Sequence, residues 1–375
     1  MNMRNFLMSP FAPWLIASAV LLLGVVIWWI AGRFNRTAVR WVVRIPALLI
    51  MGLGVAMITG AAFTASKMAA ALADHPPPGV MVDVNGTAIH VWCEGDANGK
   101  PAIVLMPGGY AQGLWMRHLQ KSLSTDYRAC LVDRPGLGYS EARSMPNSTE
   151  RVVDEVHKAM AGAGEQYPVV MAGHSFGGLF AANFAAIHPD DVAGLILLDP
   201  TAPSHELARS SNECEGPGYS VVFSCMFGLA YIRSLNPMYG PYMAEVREAV
   251  GDDWDTLVTF EIRPSALIGK NSAFNASCRN PLSSVPPVEG RLGDIPLLQI
   301  LQAPEPEGGR PAWLAHLSDF EYANHEAWYA SAKSDYLRMS SRSKNEYAPV
   351  GAGHDFPHTE RDFTLSRIRE FLESL

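Results

Sequence analysis

The sequence carries little charge and few cysteines for its length. Charged residues make up 18% of the 375 positions, and the formal net charge is −8. No run of Lys or Arg forms a phosphate-binding stripe, so we expect no nucleic-acid partner. The five cysteines lie far apart without a CxxC pair, which argues against a zinc ribbon or a thioredoxin-like redox pair. The sequence also has no P-loop, dinucleotide fingerprint or metal-ligating cluster, and we expect no cofactor and no metal.

Hydrophobic residues are abundant, at 48% of the chain, and two long apolar runs hold many of them. Residues 11–32 and 45–66 are uncharged, and each run has about the 20 residues that a helix needs to cross a bilayer. The sequence therefore predicts a transmembrane helical hairpin at residues 11–66, preceded by a short tail at residues 1–10. A signal peptide is the alternative interpretation of the first run, but that run is long and a second one follows.

The charges around the two runs predict an orientation. One Arg precedes the first run and one Lys follows the second, whereas four Arg residues lie in the loop between them: Arg33, Arg36, Arg40 and Arg44. Because short cytoplasmic loops collect basic residues, we expect this loop in the cytoplasm. Both termini and the downstream domain are then expected on the non-cytoplasmic (periplasmic or extracellular) face, with the lipid bilayer as a partner of the hairpin.

Beyond the hairpin, residues 67–79 form a predicted linker that ends in His-Pro-Pro-Pro-Gly, and an α/β pattern begins at Val80. Asn85-Gly86 between two strand-like runs predicts a β-hairpin. Short apolar runs then alternate with helical spacing, at residues 102–106, 128–132, 169–172 and 192–198. A hairpin followed by this alternation predicts an open α/β sheet with helices on both faces.

A serine lies where one of these strands meets the next helix. Gly173-His-Ser175-Phe-Gly177 reads G-x-S-x-G, and it stands between an apolar strand and a helix of small residues. The turn at such a serine is so sharp that a side chain two residues away would collide with the neighbouring backbone. The pattern therefore favours Ser175 as a nucleophile.

From residue 80 to the C-terminus the sequence resembles the α/β-hydrolase fold superfamily. Four motifs occur in the superfamily's order, namely Leu105-Met-Pro-Gly-Gly109, Asp133-Arg-Pro-Gly-Leu-Gly-Tyr-Ser140, the Ser175 motif and Gly351-Ala-Gly-His354. The resemblance implies an α/β fold with a mostly parallel sheet of about eight strands and a triad in the order Ser, acid, His.

The same resemblance implies the roles of further site residues. His354, in a loop after the last strand, is the expected base, and the backbone N–H groups of Gly109 and Phe176 are the expected oxyanion hole. Pro107-Gly108 stands where the superfamily usually has His-Gly, which removes an imidazole that braces the loop but leaves the backbone donor in place.

The acid of the triad stays open between two strand ends. The superfamily usually places it after strand seven, assigned to residues 296–301, but the following loop lacks the usual Gly-x-x-Asp and offers Glu305 or Glu307. Some members carry the acid after strand six, where this chain has Asp199. Adjacent strands lie about 4.8 Å apart, so Asp199 is within reach of the histidine and is the first choice, with Glu305 as the alternative.

An insertion separates strands six and seven, at residues 201–293, and is the predicted helical cap between the two parts of the hydrolase core, residues 80–200 and 294–375. Its many aromatic and Met residues suit an apolar acyl or aromatic substrate, or they form the cap's own core.

The cysteines divide between the cap and the sheet. Cys93 and Cys130 fall on neighbouring strands, where we expect buried free thiols. The other three lie in the cap, where a non-cytoplasmic domain could oxidise a pair of them: Cys214, Cys225 and Cys278.

The sequence thus predicts a membrane-anchored serine hydrolase that cleaves a small carboxylic ester, or a similar acyl substrate, through an acyl-enzyme intermediate. Dehalogenase and epoxide hydrolase activities are disfavoured, because those relatives need an Asp where this chain has Ser175. The alternatives are an aminopeptidase of the proline-iminopeptidase type and a catalytically silent binding module. The oligomeric state is left open.

Overall fold

A computed structural model describes most of the chain. The described residues are 6–7, 9, 11–109, 111–142, 148–201, 219–232, 236–240, 243–263, 266, 289–303, 318–319, 323, 327 and 335–375. The chain forms two compact units. One comprises Met1–Pro76, Pro217–Gly240 and Val258–Ile268, and the other comprises Pro77–Gly216, Pro241–Leu257 and Gly269–Leu375.

The regular elements alternate in the order that the sequence predicts. The described α-helices are α1 (Ala12–Ala31), α2 (Thr37–Asp74), α3 (Arg117–Leu123), α4 (Thr149–Gly162), α5 (Phe176–Ile187), α6 (Tyr219–Met226), α7 (Ala244–Val250), α8 (Trp254–Glu261), α9 (Phe356–Thr359) and α10 (Arg361–Glu373). The strands are β1 (Val80–Val84), β2 (Thr87–Glu94), β3 (Ile103–Met106), β4 (Ala129–Val132), β5 (Val169–His174), β6 (Val192–Leu198), β7 (Leu297–Leu301) and β8 (Ser343–Tyr347).

The first unit is built on α1 and α2, which are both long and apolar enough to cross a bilayer. Helix α1 matches the first predicted run closely, but α2 is longer than the second run and extends to Asp74, through most of the predicted linker. The residues after Ser66 are mainly Ala, Met and Leu, which are strong helix formers, so the helix continues beyond the apolar run. It ends just before Pro76-Pro77-Pro78.

Helices α1 and α2 contact each other through small residues spaced seven apart. The buried positions include Ala17, Gly24 and Ala31 on α1, and Ala47, Gly54 and Ala61 on α2. A Cβ added at Gly54 would lie 2.7 Å from the Leu21 backbone, and one at Gly24 would lie 2.8 Å from the Met51 nitrogen. We call these six residues the small-residue seam. It allows the close backbone approach that stabilises helix pairs in membranes.

The second unit is an eight-stranded sheet with the order β1-β2-β4-β3-β5-β6-β7-β8. Strands β1 and β2 form the predicted antiparallel hairpin, β2 pairs antiparallel with β4, and the strands from β4 to β8 run parallel. Strands β3 to β7 are almost completely buried, because helices cover both faces of the sheet. The predicted α/β-hydrolase sheet is confirmed.

One expectation about the sheet is wrong, since Cys93 and Cys130 form a disulfide instead of remaining free thiols. The two residues lie directly opposite each other in the antiparallel register of β2 and β4. Opposed antiparallel positions bring side chains on one face together. Neighbouring strands alone do not show which residues are opposed, and this register decides the pairing. Cys225 is buried and forms no disulfide among the described residues, whereas Cys214 and Cys278 lie outside them.

Candidate active site

Ser175 lies at the sharp turn between β5 and α5. Its φ of 53° is in the left-handed region, which a residue with a side chain occupies only at a cost in strain. A Cβ added at Gly173 would lie 2.6 Å from the Gly178 nitrogen, and one at Gly177 would collide with the Met106 carbonyl. Both glycines of the G-x-S-x-G motif are therefore required by close backbone contacts, as the sequence predicts.

Asp199 and His354 meet beside this turn. Asp199 follows β6, the strand next to β5, and its Oδ2 lies 2.6 Å from Nδ1 of His354. Its other oxygen, Oδ1, accepts a hydrogen bond of 3.1 Å from the Gln302 backbone N–H. Because a carboxylate only accepts hydrogen bonds, Nδ1 of His354 carries the proton and Nε2 is left as the basic nitrogen. Glu305 and Glu307, the alternative acids, lie outside the described residues.

The buried carboxylate also sets the proton affinity of His354. Burial lowers the pKa of this imidazole, but the hydrogen bond to Asp199 and the charge of Asp199 outweigh burial and raise the pKa above 6.5. Asp199 itself is only 3% exposed, so its charge is weakly screened by water. The pair therefore stabilises the imidazolium form that a general base passes through.

His174, the residue before Ser175, holds the loop of His354 in place. Its Nε2 donates to the His354 carbonyl oxygen at 2.9 Å, and the centroids of the two rings lie 4.7 Å apart. The backbone N–H of Ser175 itself donates to the Leu198 carbonyl at 3.0 Å. Ser175 thus lies between a residue that contacts His354 and the strand that Asp199 follows.

The loop after β3 lies against the same turn. A Cβ added at Gly108 would lie 3.4 Å from Ser175 Cβ, and one at Gly109 would lie 3.3 Å from Phe176 Cβ. The two residues expected to form the oxyanion hole, Gly109 and Phe176, are therefore adjacent, and Phe176 is the first residue of α5. The N–H groups of a first helical turn have no partner within their own helix and favour negative charge.

Arg134 braces this loop, as the resemblance implies for Asp133-Arg134. Its Nη2 donates to the carbonyl oxygens of Pro107, Gly108 and Ala111. Arg134 is buried, and burial lowers its pKa to about 10, so it stays charged near neutral pH. A guanidinium thus holds the loop at the place where the superfamily usually has an imidazole. The only sequence signal for this role is the position of Arg134 after β4.

Asp133, the residue before it, ties together the loops behind the site. Its carboxylate accepts from the backbone N–H groups of Gly113, at 2.7 Å, and Tyr139, at 3.0 Å, and it faces His90 Nδ1 at 2.8 Å. These bonds connect the loops that follow β3 and β4. Asp133 acts as a structural brace, in agreement with its position in the Asp133–Ser140 motif.

Three further imidazoles pack around His354 without a direct place in the chemistry. The rings of His174 and His358 are 6.0 Å apart, and those of His358 and His118 are 5.0 Å apart. Burial lowers the pKa of His118 and of His174 to about 4, and it lowers that of His358 well below 6.5. All three rings are therefore neutral near pH 7.

One described part of the cap lies in the same unit as this cluster. Helix α7 packs against α9, which begins two residues after His354. The rings of Trp254 and Trp115 meet edge to face at 6.1 Å, and the Gln112 side chain donates to the Leu257 carbonyl at 2.9 Å. Apolar and aromatic cap residues thus line the neighbourhood of the His354 loop.

Two groups of potential metal ligands occur among the described residues. The first contains Cys93 and Cys130, whose sulfurs are joined in the disulfide. The second contains His157, His188 and Asp191, of which His188 and Asp191 lie at the ends of α5 and β6 opposite Ser175 and Asp199. There the two imidazoles stack at 4.2 Å, and His157 Nε2 pairs with Asp191 at 2.9 Å.

Comparisons with known proteins agree with this geometry. Residues 101–212 match the family model described as alpha/beta hydrolase fold. The uncharacterized protein YbdG of Bacillus subtilis (strain 168) is 31% identical over 127 residues, which are 33% of this chain and 38% of that protein. A pimeloyl-[acyl-carrier protein] methyl ester esterase of Xanthomonas oryzae pv. oryzae (strain MAFF 311018) is 38% identical over 101 residues, which are 27% of this chain and 37% of that protein. The chain thus spans well under two thirds of the length of these relatives.

Among solved structures, a thermophilic esterase from Thermogutta terrifontis superposes with a TM-score of 0.55 at 17% sequence identity. The superposition covers 79% of this chain and 98% of the esterase. At this identity the likeness concerns the fold, and together with the sheet order it shows that the chain has the α/β-hydrolase fold.

Proposed function

Starting from the α/β-hydrolase fold, we propose that this protein is a membrane-anchored serine hydrolase with Ser175 as nucleophile, His354 as base and Asp199 as the acid. The observation that carries the proposal is the hydrogen bond between buried Asp199 and partly buried His354 beside the strained Ser175. A histidine oriented by a carboxylate beside a serine at such a turn is the arrangement that activates a hydroxyl for acyl transfer.

The proposed reaction proceeds in two halves. Ser175 Oγ bonds to the ester carbonyl carbon while its proton passes to His354 Nε2, and the carbonyl electron pair moves onto oxygen. The backbone N–H groups of Gly109 and Phe176 stabilise that oxyanion, which typically contributes several kcal/mol. Collapse breaks the C–O bond, and the alcohol leaves with the proton from Nε2. Water then repeats the sequence, releasing the carboxylic acid and restoring Ser175.

A carboxylic ester is the proposed substrate class. The Xanthomonas oryzae relative is by its name a methyl ester esterase, and the Thermogutta terrifontis neighbour is by its title an esterase. The aromatic and apolar cap residues next to the His354 loop favour an apolar acyl group.

The membrane anchor is part of the proposal. Helix α1 has 20 residues, and at about 1.5 Å per residue it matches the roughly 30 Å of a bilayer's hydrocarbon core. The arginine-rich loop supports a cytoplasmic position for residues 33–44 and a non-cytoplasmic position for the hydrolase domain. The Cys93–Cys130 disulfide supports the same side, because disulfides persist in oxidising compartments.

Labelling with a fluorophosphonate probe, which reports an activated serine, tests the function. We expect the detergent-solubilised wild type to be labelled and Ser175→Ala and His354→Ala to lose labelling. Ser374→Ala and His75→Ala, which change exposed residues outside the site, should label as the wild type does. A folded but unlabelled wild type would support the binding-module alternative, and cleavage of amino-terminal prolyl amides in preference to esters would support the iminopeptidase alternative.

Asp199→Asn added to this series tests the acid. Loss of the oriented, charged partner is expected to reduce kcat for ester hydrolysis by about 10³- to 10⁴-fold. Only neutral His354 is a base, so wild-type kcat/KM should fall as pH drops through its raised pKa, above 6.5. In Asp199→Asn the effect of burial, which lowers the pKa of His354, is no longer opposed by the Asp199 charge. The pH at which kcat/KM falls should therefore be lower in this variant. Asp191→Asn, which changes the partner of His157, is the matched control; equal activity of both variants would remove Asp199 from the triad.

A further inference from the structure

A second segment of the cap belongs to the unit of the proposed membrane hairpin. It comprises residues 219–232, that is, helix α6, the turn after it and Ile232, and we call it the apolar cap segment. No charged residue occurs between Glu215 and Arg233. An uncharged apolar run of this length is too short to span a bilayer and is typical of a buried helix or of a segment that lies at the membrane interface.

The apolar cap segment packs on α2 within the run that is predicted to cross the membrane. A Cβ added at Gly60 would collide with the Phe227 carbonyl, and Thr64 Oγ1 donates to the Cys225 carbonyl at 3.3 Å. The rings of Phe63 and Tyr231 meet edge to face at 5.5 Å. These contacts lie between residues 60 and 64, whereas the apolar run extends to residue 66, so the segment reaches the depth of the hydrocarbon region.

The other side of the segment carries large apolar side chains that the unit does not cover. Val222 and Met226 are buried together with Leu7 and Ala12. Four other side chains remain substantially exposed: Val221 at 44%, Phe223 at 37%, Leu229 at 49% and Ile232 at 46%. The same unit exposes apolar residues along the hairpin, such as Leu22 and Leu49. The exposed side of the segment thus continues the surface that the hairpin would present to lipid.

We propose that the apolar cap segment lies among the acyl chains of the non-cytoplasmic leaflet, and that the substrate is an ester which dissolves in the bilayer. This inference rests on the proposed function, including its transmembrane hairpin. The occupant of the exposed surface is lipid, because the segment contacts α2 at hydrocarbon depth and a charged or polar partner would find no complementary group on it. A charged side chain is costly to bury in hydrocarbon, so this position explains why residues 216–232 include no charged residue.

Chain connectivity links this segment to the chemistry. The cap leaves the hairpin unit after Gly240, contributes residues 241–257 to the unit that holds His354, and returns at Val258. The same insertion therefore contacts the proposed lipid phase and the neighbourhood of the site. A lipid-soluble ester accounts for both contacts better than a substrate dissolved in water does.

The test uses full-length protein in phosphatidylcholine vesicles that contain a lipid with a photoactivatable diazirine on its acyl chain. After irradiation, mass spectrometry is expected to find adducts on residues 219–232 as well as on α1 and α2, and none on residues 80–94 of the β1–β2 hairpin. Adducts on the hairpin helices without any on residues 219–232 would overturn the inference. This readout is made on Ser175→Ala as well, so it does not depend on catalysis.

Activity provides the second readout. Phe223→Asp and Leu229→Asp are expected to hydrolyse a long-chain ester delivered in vesicles at least about tenfold more slowly, relative to a short-chain soluble ester, than the wild type does. Met81→Asp, which places the same charge on an exposed residue of β1, should leave this ratio unchanged. An unchanged ratio in the cap variants would overturn the proposed substrate class. A wild type that hydrolyses neither ester would instead contradict the proposed function, while the adducts would still report where the segment lies.

Discussion

The two units both bring backbone segments into close contact through glycine, but the contacts differ in kind. In the sheet unit, Gly173 and Gly177 serve one strained turn, and a Cβ at either would collide with backbone atoms of fixed elements. In the hairpin unit, Gly24 and Gly54 belong to the small-residue seam, where similar contacts recur every seven residues. A turn cannot yield without moving Ser175, whereas two helices can separate along their whole length. The comparison predicts that glycine substitutions abolish chemistry in one unit and weaken helix packing in the other.

Gly177→Ala tests the first half of the comparison and has the largest expected effect. Its Cβ would collide with the Met106 carbonyl, so the turn must move and carry Ser175 with it. A displacement of about 1 Å at a reacting group can reduce the rate by 10²-fold, and we expect at least about that loss in kcat/KM for ester hydrolysis. Circular dichroism should show that the variant is folded. Wild-type activity in a folded variant would contradict the proposed geometry of the turn.

Gly54→Leu tests the second half. The added side chain would enter the Leu21 backbone, and overpacking of this kind costs about 1–3 kcal/mol. We expect α1 and α2 of this variant to separate at a lower SDS concentration than those of the wild type. The separation is measured as the distance between labels placed on the two helices. Fluorophosphonate labelling should stay within about twofold of wild type, because labelling reports the turn of Ser175 alone.

Gly52 offers the matched control for this substitution. It lies on the same helix, but a Cβ added there meets no atom within 4 Å. In Gly52→Leu, α1 and α2 should therefore separate at the same SDS concentration as in the wild type. If both variants behave alike, the seam does not determine the packing of the hairpin.

Acid should affect the stability of the sheet unit through its buried imidazoles. The folded-state pKa of His174 is about 4, and the unfolded value is near 6.5, so the unfolded chain binds the extra proton between these limits. Stability of the sheet unit is therefore expected to fall as pH drops from 6.5 towards 4. The raised pKa of His354 acts in the opposite direction, whereas His118 adds to the loss.

Thermal unfolding followed by tryptophan fluorescence at a series of pH values measures this effect. His174→Gln keeps a donor for the His354 carbonyl but cannot be protonated, so its stability should depend less on pH than that of the wild type. His75→Gln, at an exposed position, should follow the wild-type curve. Identical pH dependence in all three proteins would show that His174 does not carry the effect.

The parts of the molecule that sequence reasoning found are those with a local signature. The turn at Ser175, the hairpin at Asn85-Gly86 and the apolar strands each depend on residues adjacent in the chain, and each lies where the sequence predicts. The superfamily order then indicated which loops would share one edge of the sheet. Asp199 is the first choice among alternatives, and its contact with His354 depends on where the loop after β8 lies relative to the end of β6.

The features that sequence reasoning missed depend on how distant elements are aligned. The Cys93–Cys130 bond requires the register of β2 against β4, and the small-residue seam requires the rotation of α1 against α2. The resemblance implies that Arg134 braces a loop, but the three carbonyls it reaches precede it by more than twenty residues and follow only from packing. The division of the cap between two units likewise depends on packing rather than on composition.

The disulfide also bears on mechanical load. The chain enters the sheet from α2, so force on the proposed membrane anchor would pull first on β1, which pairs with β2 and packs against α4. Peeling would then proceed along β2 from Thr87 and stop at Cys93, where the covalent bond to Cys130 replaces hydrogen bonds. Strands β3 to β8, with Ser175, Asp199 and His354 at their ends, would stay assembled. The disulfide would thus keep a pull on the proposed tether from reaching the strands that carry the proposed site.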